Sequence, residues 1–149
     1  MSLTRANAEV VLISRAGNLM TAAGLDGVTV DGTNSDLNDP IGYGIRKVGG
    51  TVADVTNVAD SDLTSISSDD YDEFFDYSEY RLLQNIAGNL DDVDIRVGPQ
   101  EQKLSQLADF LDRRIERLKS KLEAEYGLGY ATITAGYIDL NFQEEFETA

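Results

Sequence analysis

The chain has 149 residues, 12 of them basic and 27 acidic, for a net charge of −15, with 42% hydrophobic residues, no Cys and no His. That length and apolar share suit one domain with its own core. The missing thiols exclude disulfides and thiolate metal sites, and the missing imidazoles remove the usual general base at neutral pH. So acidic a surface repels nucleic-acid phosphates and anionic lipids, which sets aside a DNA reader or a membrane-surface protein. Met1-Ser2-Leu3-Thr4-Arg5 lacks the apolar core of a signal peptide. No stretch approaches the ~20 apolar residues of a membrane span, so synthesis in the cytoplasm is expected.

Thr4 to Ala23 reads as a helix. Thr4 can cap it, Ala8, Leu12, Ala16, Leu19 and Ala23 share one stripe, and Gly24 stops it. Gly17, inside that helix, costs about 1 kcal/mol relative to Ala and points to the close approach of another helix. Gly24 to Asn38 reads as a long loop with room for one short extended piece, Val28-Thr29-Val30. A short second helix follows, with Asp39 as its cap, Pro40 at the first helical position and Ile41, Ile45 and Val48 as its apolar stripe. Gly49-Gly50 ends it. A further turn of helix is expected around Asp62–Ile66.

The third helix is expected from Asp69 to Asn89, with Asp69, Asp70, Asp72 and Glu73 favouring the positive end of its dipole. Tyr71, Phe74, Phe75, Ser78, Leu82, Ile86 and Leu90 form its stripe. Asp91 to Pro99 reads as an acidic turn. The fourth helix, Gln100 to Tyr126, carries the clearest pattern. Leu104, Ala108, Leu111, Ile115, Leu118 and Leu122 alternate spacings of four and three, a heptad seam for helix packing or oligomer contact. Beyond Gly127 the period changes to two. Ile138, Leu140 and Phe142 fall on one side of Tyr137–Gln143 and Asp139, Asn141 and Gln143 on the other, a strand pattern. The expected architecture is mainly α, a bundle of about four helices over residues 1–127 with long loops, and an extended or β tail over 128–149.

Candidate chemistry is sparse. The run Asp69-Asp70-Tyr71-Asp72-Glu73 lacks the glycine and the closing glutamate of a calcium loop, and helix-start acids explain it locally. The Asx-rich stretch Asp26 to Asp39 reads as residues bonding their own backbone. No Gly-rich stretch runs into Lys and Ser/Thr as a phosphate loop would. The aromatics Tyr71, Phe74, Phe75, Tyr77 and Tyr80 have acidic neighbours and read as core rather than as a stacking platform for bases. No catalytic residue, cofactor or metal is expected. Charge is segregated, however: Asp54 to Asp94 holds one basic residue, Arg81, whereas Lys103 to Lys121 holds Lys103, Arg113, Arg114, Arg117, Lys119 and Lys121. That asymmetry suits contacts between copies or with a partner.

Three stretches carry a resemblance: the opening Leu3-Thr4-Arg5-Ala6-Asn7-Ala8-Glu9, the segment Thr33-Asn34-Ser35-Asp36-Leu37-Asn38-Asp39-Pro40-Ile41-Gly42-Tyr43, and the long helix Leu104–Tyr126 with its trailing tail. In this layout the chain resembles the head–tail connector (adaptor, head-completion) proteins of tailed bacteriophages. The resemblance implies a non-enzymatic virion protein of the neck that forms a homo-oligomeric ring, usually dodecameric. Such a ring docks on the portal protein, meets tail or neck proteins, and continues the channel through which DNA passes without specific binding. On that reading Asp69, Asp70, Asp72 and Glu73 are candidates for an acidic channel wall or interface. The tail residues Tyr137, Ile138, Leu140 and Phe142 would add a strand to a partner's sheet edge. Two alternatives compete: an acidic DNA mimic or regulatory binding protein, and a small hydrolase using carboxylates and magnesium.

Overall fold

The structure, a computed structural model, describes residues 2–94 and 101–127, without the side chains of 91–94 and 101–105. Helix α1 runs Arg5–Ala22, α2 Asn38–Lys47, α3 Asp60–Leu63, α4 Tyr71–Asp94 and α5 Glu101–Tyr126, with 3-10 turns at Ser35–Leu37 and Ser68–Asp70. The fold is mainly helical, and the strand pattern of the tail lies outside the described residues.

Local chemistry sets the helix ends. Thr4 Oγ1 accepts the Asn7 N–H at 3.2 Å and opens α1, and Gly24, at φ +79°, turns the chain out of it. Helix α2 departs from expectation. Asn34 caps the 3-10 turn by accepting from Asp36 N–H, and that turn runs straight into α2, so Leu37 stands at the N-cap and Asp39 caps nothing. Pro40 then falls third, still within the first turn, where a missing N–H leaves no bond unmade. The turn expected at Asp62–Ile66 lies at Asp60–Leu63. Asp62 is its third residue, and its carboxylate reaches back to accept the Ala59 N–H at 3.0 Å. Helix α4 starts after the Ser68–Asp70 turn and continues through Asp91–Asp94, where a turn was expected. Val28-Thr29-Val30 forms no strand, and Val28 is 76% exposed.

Helix α4 is the central element and packs against α1, α2 and α5. Its Phe74, Leu82, Leu83 and Ile86 are fully buried, each contributing roughly 1.5–3 kcal/mol. Leu12 and Met20 of α1, Ile41 and Ile45 of α2, and Leu111 and Leu122 of α5 complete the same core. Gly44 lets α2 approach α4: a Cβ there would meet Ser78 Oγ and lie 2.8 Å from the Phe74 carbonyl oxygen. Gly17 is also a point of close approach, but to a loop. A Cβ on Gly17 would lie 2.9 Å from the Gly27 carbonyl oxygen, so a backbone crossing and not a second helix demands the glycine.

A buried ion pair ties the long loops to the bundle. Arg5 and Glu9, 3% and 0% exposed, lie one turn apart on α1. Arg5 Nε donates to Glu9 Oε1 at 2.9 Å, Nη1 donates to Asn38 Oδ1 at 2.6 Å and Nη2 to the Asn34 carbonyl at 2.7 Å. Glu9 accepts in turn from Gly32 N–H at 2.7 Å and Asn34 N–H at 3.0 Å. The Asn34 side chain donates to the carbonyls of Asp26 and Thr29, which fixes the rest of that loop. Hydrogen-bonded on every side, the pair meets the condition under which burying charge is tolerable.

Candidate functional site

A cluster of polar residues lies where α1, α4 and α5 converge. Asp76 and Glu79 sit one turn apart on α4, with side chains 7% and 12% exposed. Arg15 of α1 bridges them, with Nη1 at 3.2 Å from Asp76 and 3.0 Å from Glu79. From α5, Arg114 donates to Glu79 at 2.7 Å and to the Arg15 carbonyl at 3.0 Å. Arg15 takes Asp76 Oδ1, while Lys121 at 3.1 Å and the Tyr126 hydroxyl at 2.9 Å both donate to Asp76 Oδ2. Burial first, and then the bond to Asp76, push the Tyr126 phenol well above its ordinary range. The bond to Asp76 raises the Lys121 ammonium as well. Two carboxylates thus hold three cations and lock three helices in one register.

This lattice floors an open groove of about 400 Å³ that also takes in Arg117 and Leu118. A second groove of about 300 Å³ continues along α1, between Ile13, Gly17 and Asn18 on one wall and Phe110 and Arg114 on the other. Arg114 lines both. Phe110, Arg114, Arg117 and Lys121 follow spacings of four, three and four, so they form one stripe beside the buried seam of α5. Phe110 is 53% exposed, and Arg117 makes no ion pair among the described residues.

The residues singled out in the sequence distribute as follows. Leu111, Leu118 and Leu122 are buried in the chain's own bundle, Ile115 is half-buried against it, and Leu104 lies in α5 with its side chain outside the described set. Asp69 and Asp72 are exposed and Asp70 half-exposed at the start of α4. Glu73 is half-buried, and burial together with the Asp70 charge raises its carboxyl. Tyr137, Ile138, Leu140 and Phe142 lie outside the described residues. The Asx-rich loop bonds its own backbone: Asp26 accepts from Val28 and Thr29 N–H, and Asp31 from Thr33 N–H. Among the described residues no cluster of three carboxylates is placed to hold a metal, and no helix is long and apolar enough to cross a membrane.

The acidic stretch is divided rather than continuous. Asp62 and Asp76 are buried and Glu79 is nearly so, while Asp54, Asp60, Asp69 and Asp72 face solvent. A second, exposed polar site joins α2 to α4: Arg81 Nε donates to Asp39 at 2.8 Å, and Asn85 donates to the same carboxylate at 2.8 Å. Burial pushes the Asp39 carboxyl up, but the bonds from Arg81 and Asn85 outweigh it and hold it below the usual carboxylate range. Lys47 and Arg81 also stack over the Tyr43 ring, at 5.4 Å each from its centre.

Sequence reasoning missed Arg5, Glu9, Asp76 and Glu79 as inward-facing groups. A signal was there: Arg5 stands three residues before Ala8 and Glu9 three before Leu12 and seven before Ala16, so the helical period alone places both on the buried face. Compared with protein-family models, with curated proteins and with solved structures, the chain finds no match.

Proposed function

We propose that this chain is a non-enzymatic structural protein of a phage virion, a ring-forming head–tail connector that docks on the portal protein and continues the DNA channel toward the tail. The observation that carries the reading is the Arg15–Asp76–Glu79–Arg114–Lys121 lattice. Its charges cross-link three helices, which is what a rigid architectural piece requires of them, and it leaves a basic stripe on a chain of net charge −15. On this reading the exposed acids of the α4 start face the channel or a neighbour, where like charge lets DNA slide without adhering. The tail, through Tyr137, Ile138, Leu140 and Phe142, adds a strand to a portal, neck or tail protein.

Co-expression with the portal protein, followed by mass measurement and negative-stain imaging, tests this. Rings seated on the portal are expected. Persistent monomers without portal affinity overturn the proposal. Removing residues from Gly136 onward is expected to leave helical content and Tm unchanged while abolishing partner binding. A DNA mimic also fits the net charge, but a mimic presents acids over its exposed face, and the Arg114–Arg117–Lys121 stripe opposes that.

A further inference from the structure

The α5 stripe combines an aromatic side chain with two arginines, residue types enriched at protein interfaces. Phe110 is 53% exposed at one end of it, and Arg114, Arg117 and Lys121 follow over the next three turns. Arg114, Arg117 and Lys121 line the groove of about 400 Å³ together with Asp76 and Glu79, Arg15 faces both carboxylates from α1, and Phe110 lines the adjoining groove that shares Arg114. Four cations against two carboxylates leave the groove positive, although the chain as a whole carries −15. Asp76 and Glu79 are occupied by Arg15, Arg114 and Lys121, so the cation open to a further partner is Arg117. The bundle end where α4 begins has the opposite character. Asp69 and Asp72 are exposed there and Asp70 half-exposed, with no ion pair among the described residues.

From these observations we infer that the α1–α5 groove is a docking surface for a second copy of this chain, and that it receives the acidic start of α4, Asp69, Asp70 and Asp72. Charge complementarity selects the occupant. Two copies at −15 each repel over most of their surface, and this pairing of a positive groove with an unpaired acidic turn brings opposite charges together. Phe110 supplies the apolar anchor beside the charges. The two patches are different surfaces of one molecule, so the contact is heterologous and propagates from copy to copy, closing into a ring where the rotation allows. The inference deepens the connector reading and rests on it for ring closure, but not for the contact itself.

The test compares wild type, Arg117→Glu and Phe110→Ser by analytical ultracentrifugation, alone and with the portal protein, after circular dichroism has confirmed that each variant is folded. Both side chains are exposed, so both variants are expected to fold. Self-association about tenfold weaker in each is expected, with recovery when Arg117→Glu is mixed with Asp72→Arg. Carbodiimide cross-linking of mixed heavy- and light-isotope copies is expected to join Lys119 or Lys121 of one copy to Asp69, Asp70 or Asp72 of another. Variants that associate like wild type, or intermolecular cross-links confined to other carboxylates, overturn the inference. A portal-bound ring whose mass Arg117→Glu leaves unchanged overturns this contact and spares the connector reading. Cross-links at these residues without portal affinity do the reverse, and wild type that stays monomeric both alone and on the portal overturns both.

Discussion

Replacing Glu9 with Ala removes the acceptor at the centre of the loop-pinning network. Glu9 is fully buried and accepts three hydrogen bonds, from Arg5 Nε, Gly32 N–H and Asn34 N–H. Each is charge-assisted, a class worth roughly 1.5–3 kcal/mol apiece before the site relaxes. Simple addition overestimates the loss, because water enters and the loop gives way. Removing one partner of a buried pair costs about 3–5 kcal/mol, since Arg5 is left buried without a counter-charge. In a domain whose whole stability is of order 5–15 kcal/mol, that is a large fraction. At about 2–4 °C per kcal/mol for a chain of this size, Tm is expected to fall by roughly 6–20 °C. Urea unfolding followed by circular dichroism measures the free energy, and amide exchange at Gly32 and Asn34 reports the loop directly. A loss below about 1 kcal/mol, or unchanged protection of those two amides, refutes the claim that this network holds the loops.

Gly44→Ala is expected to destabilise by about 1–2 kcal/mol despite the better helix propensity of Ala, because the new methyl meets Ser78 Oγ and the Phe74 carbonyl. Gly88→Ala, in open space on α4, is the control and is expected to stabilise by about 1 kcal/mol; thermal melts of the two variants must move in opposite directions. Ser78 Oγ is buried without a hydrogen-bond partner among the described residues, so Ser78→Ala is expected to raise stability by about 1 kcal/mol in urea unfolding. In alkali, Tyr126 and Lys121 have folded-state pKa values above their ordinary ones. Their contribution is therefore complete below pH about 10 and is lost as pH rises through the folded values. Tyr126→Phe is expected to flatten the decline in Tm above that pH, and an unchanged slope would exclude the Tyr126–Asp76 bond as its source.

Much of the scaffold was legible from short-range rules. The Thr4 cap, the apolar stripe of α1 and the seam of α5 depend on residues three or four positions apart, and a helix period exposes them directly. Boundaries slipped where a 3-10 turn preceded a helix. Ser35–Leu37 and Ser68–Asp70 wind the chain before α2 and α4 begin, so Asp39, expected as the cap of α2, stands second within it, and Asp69, expected in the first turn of α4, lies in the turn before it. Gly17 was recognised as a close approach, but the partner was a loop glycine ten residues further along, which no periodicity encodes.

Net charge, helix content and the segregation of basic residues onto one helix follow from composition and spacing, because they need only the order of residues along the chain. Which carboxylates turn inward does not. Asp76 and Glu79 acquire their roles from Arg15, 61 and 64 residues earlier, and Glu79 from Arg114, 35 residues later. Only the packing of α1, α4 and α5 brings those groups within 3.2 Å of one another. Burial makes an unpaired charge costly and a paired one tolerable, so the fate of each acid depends on which cation the fold delivers to it.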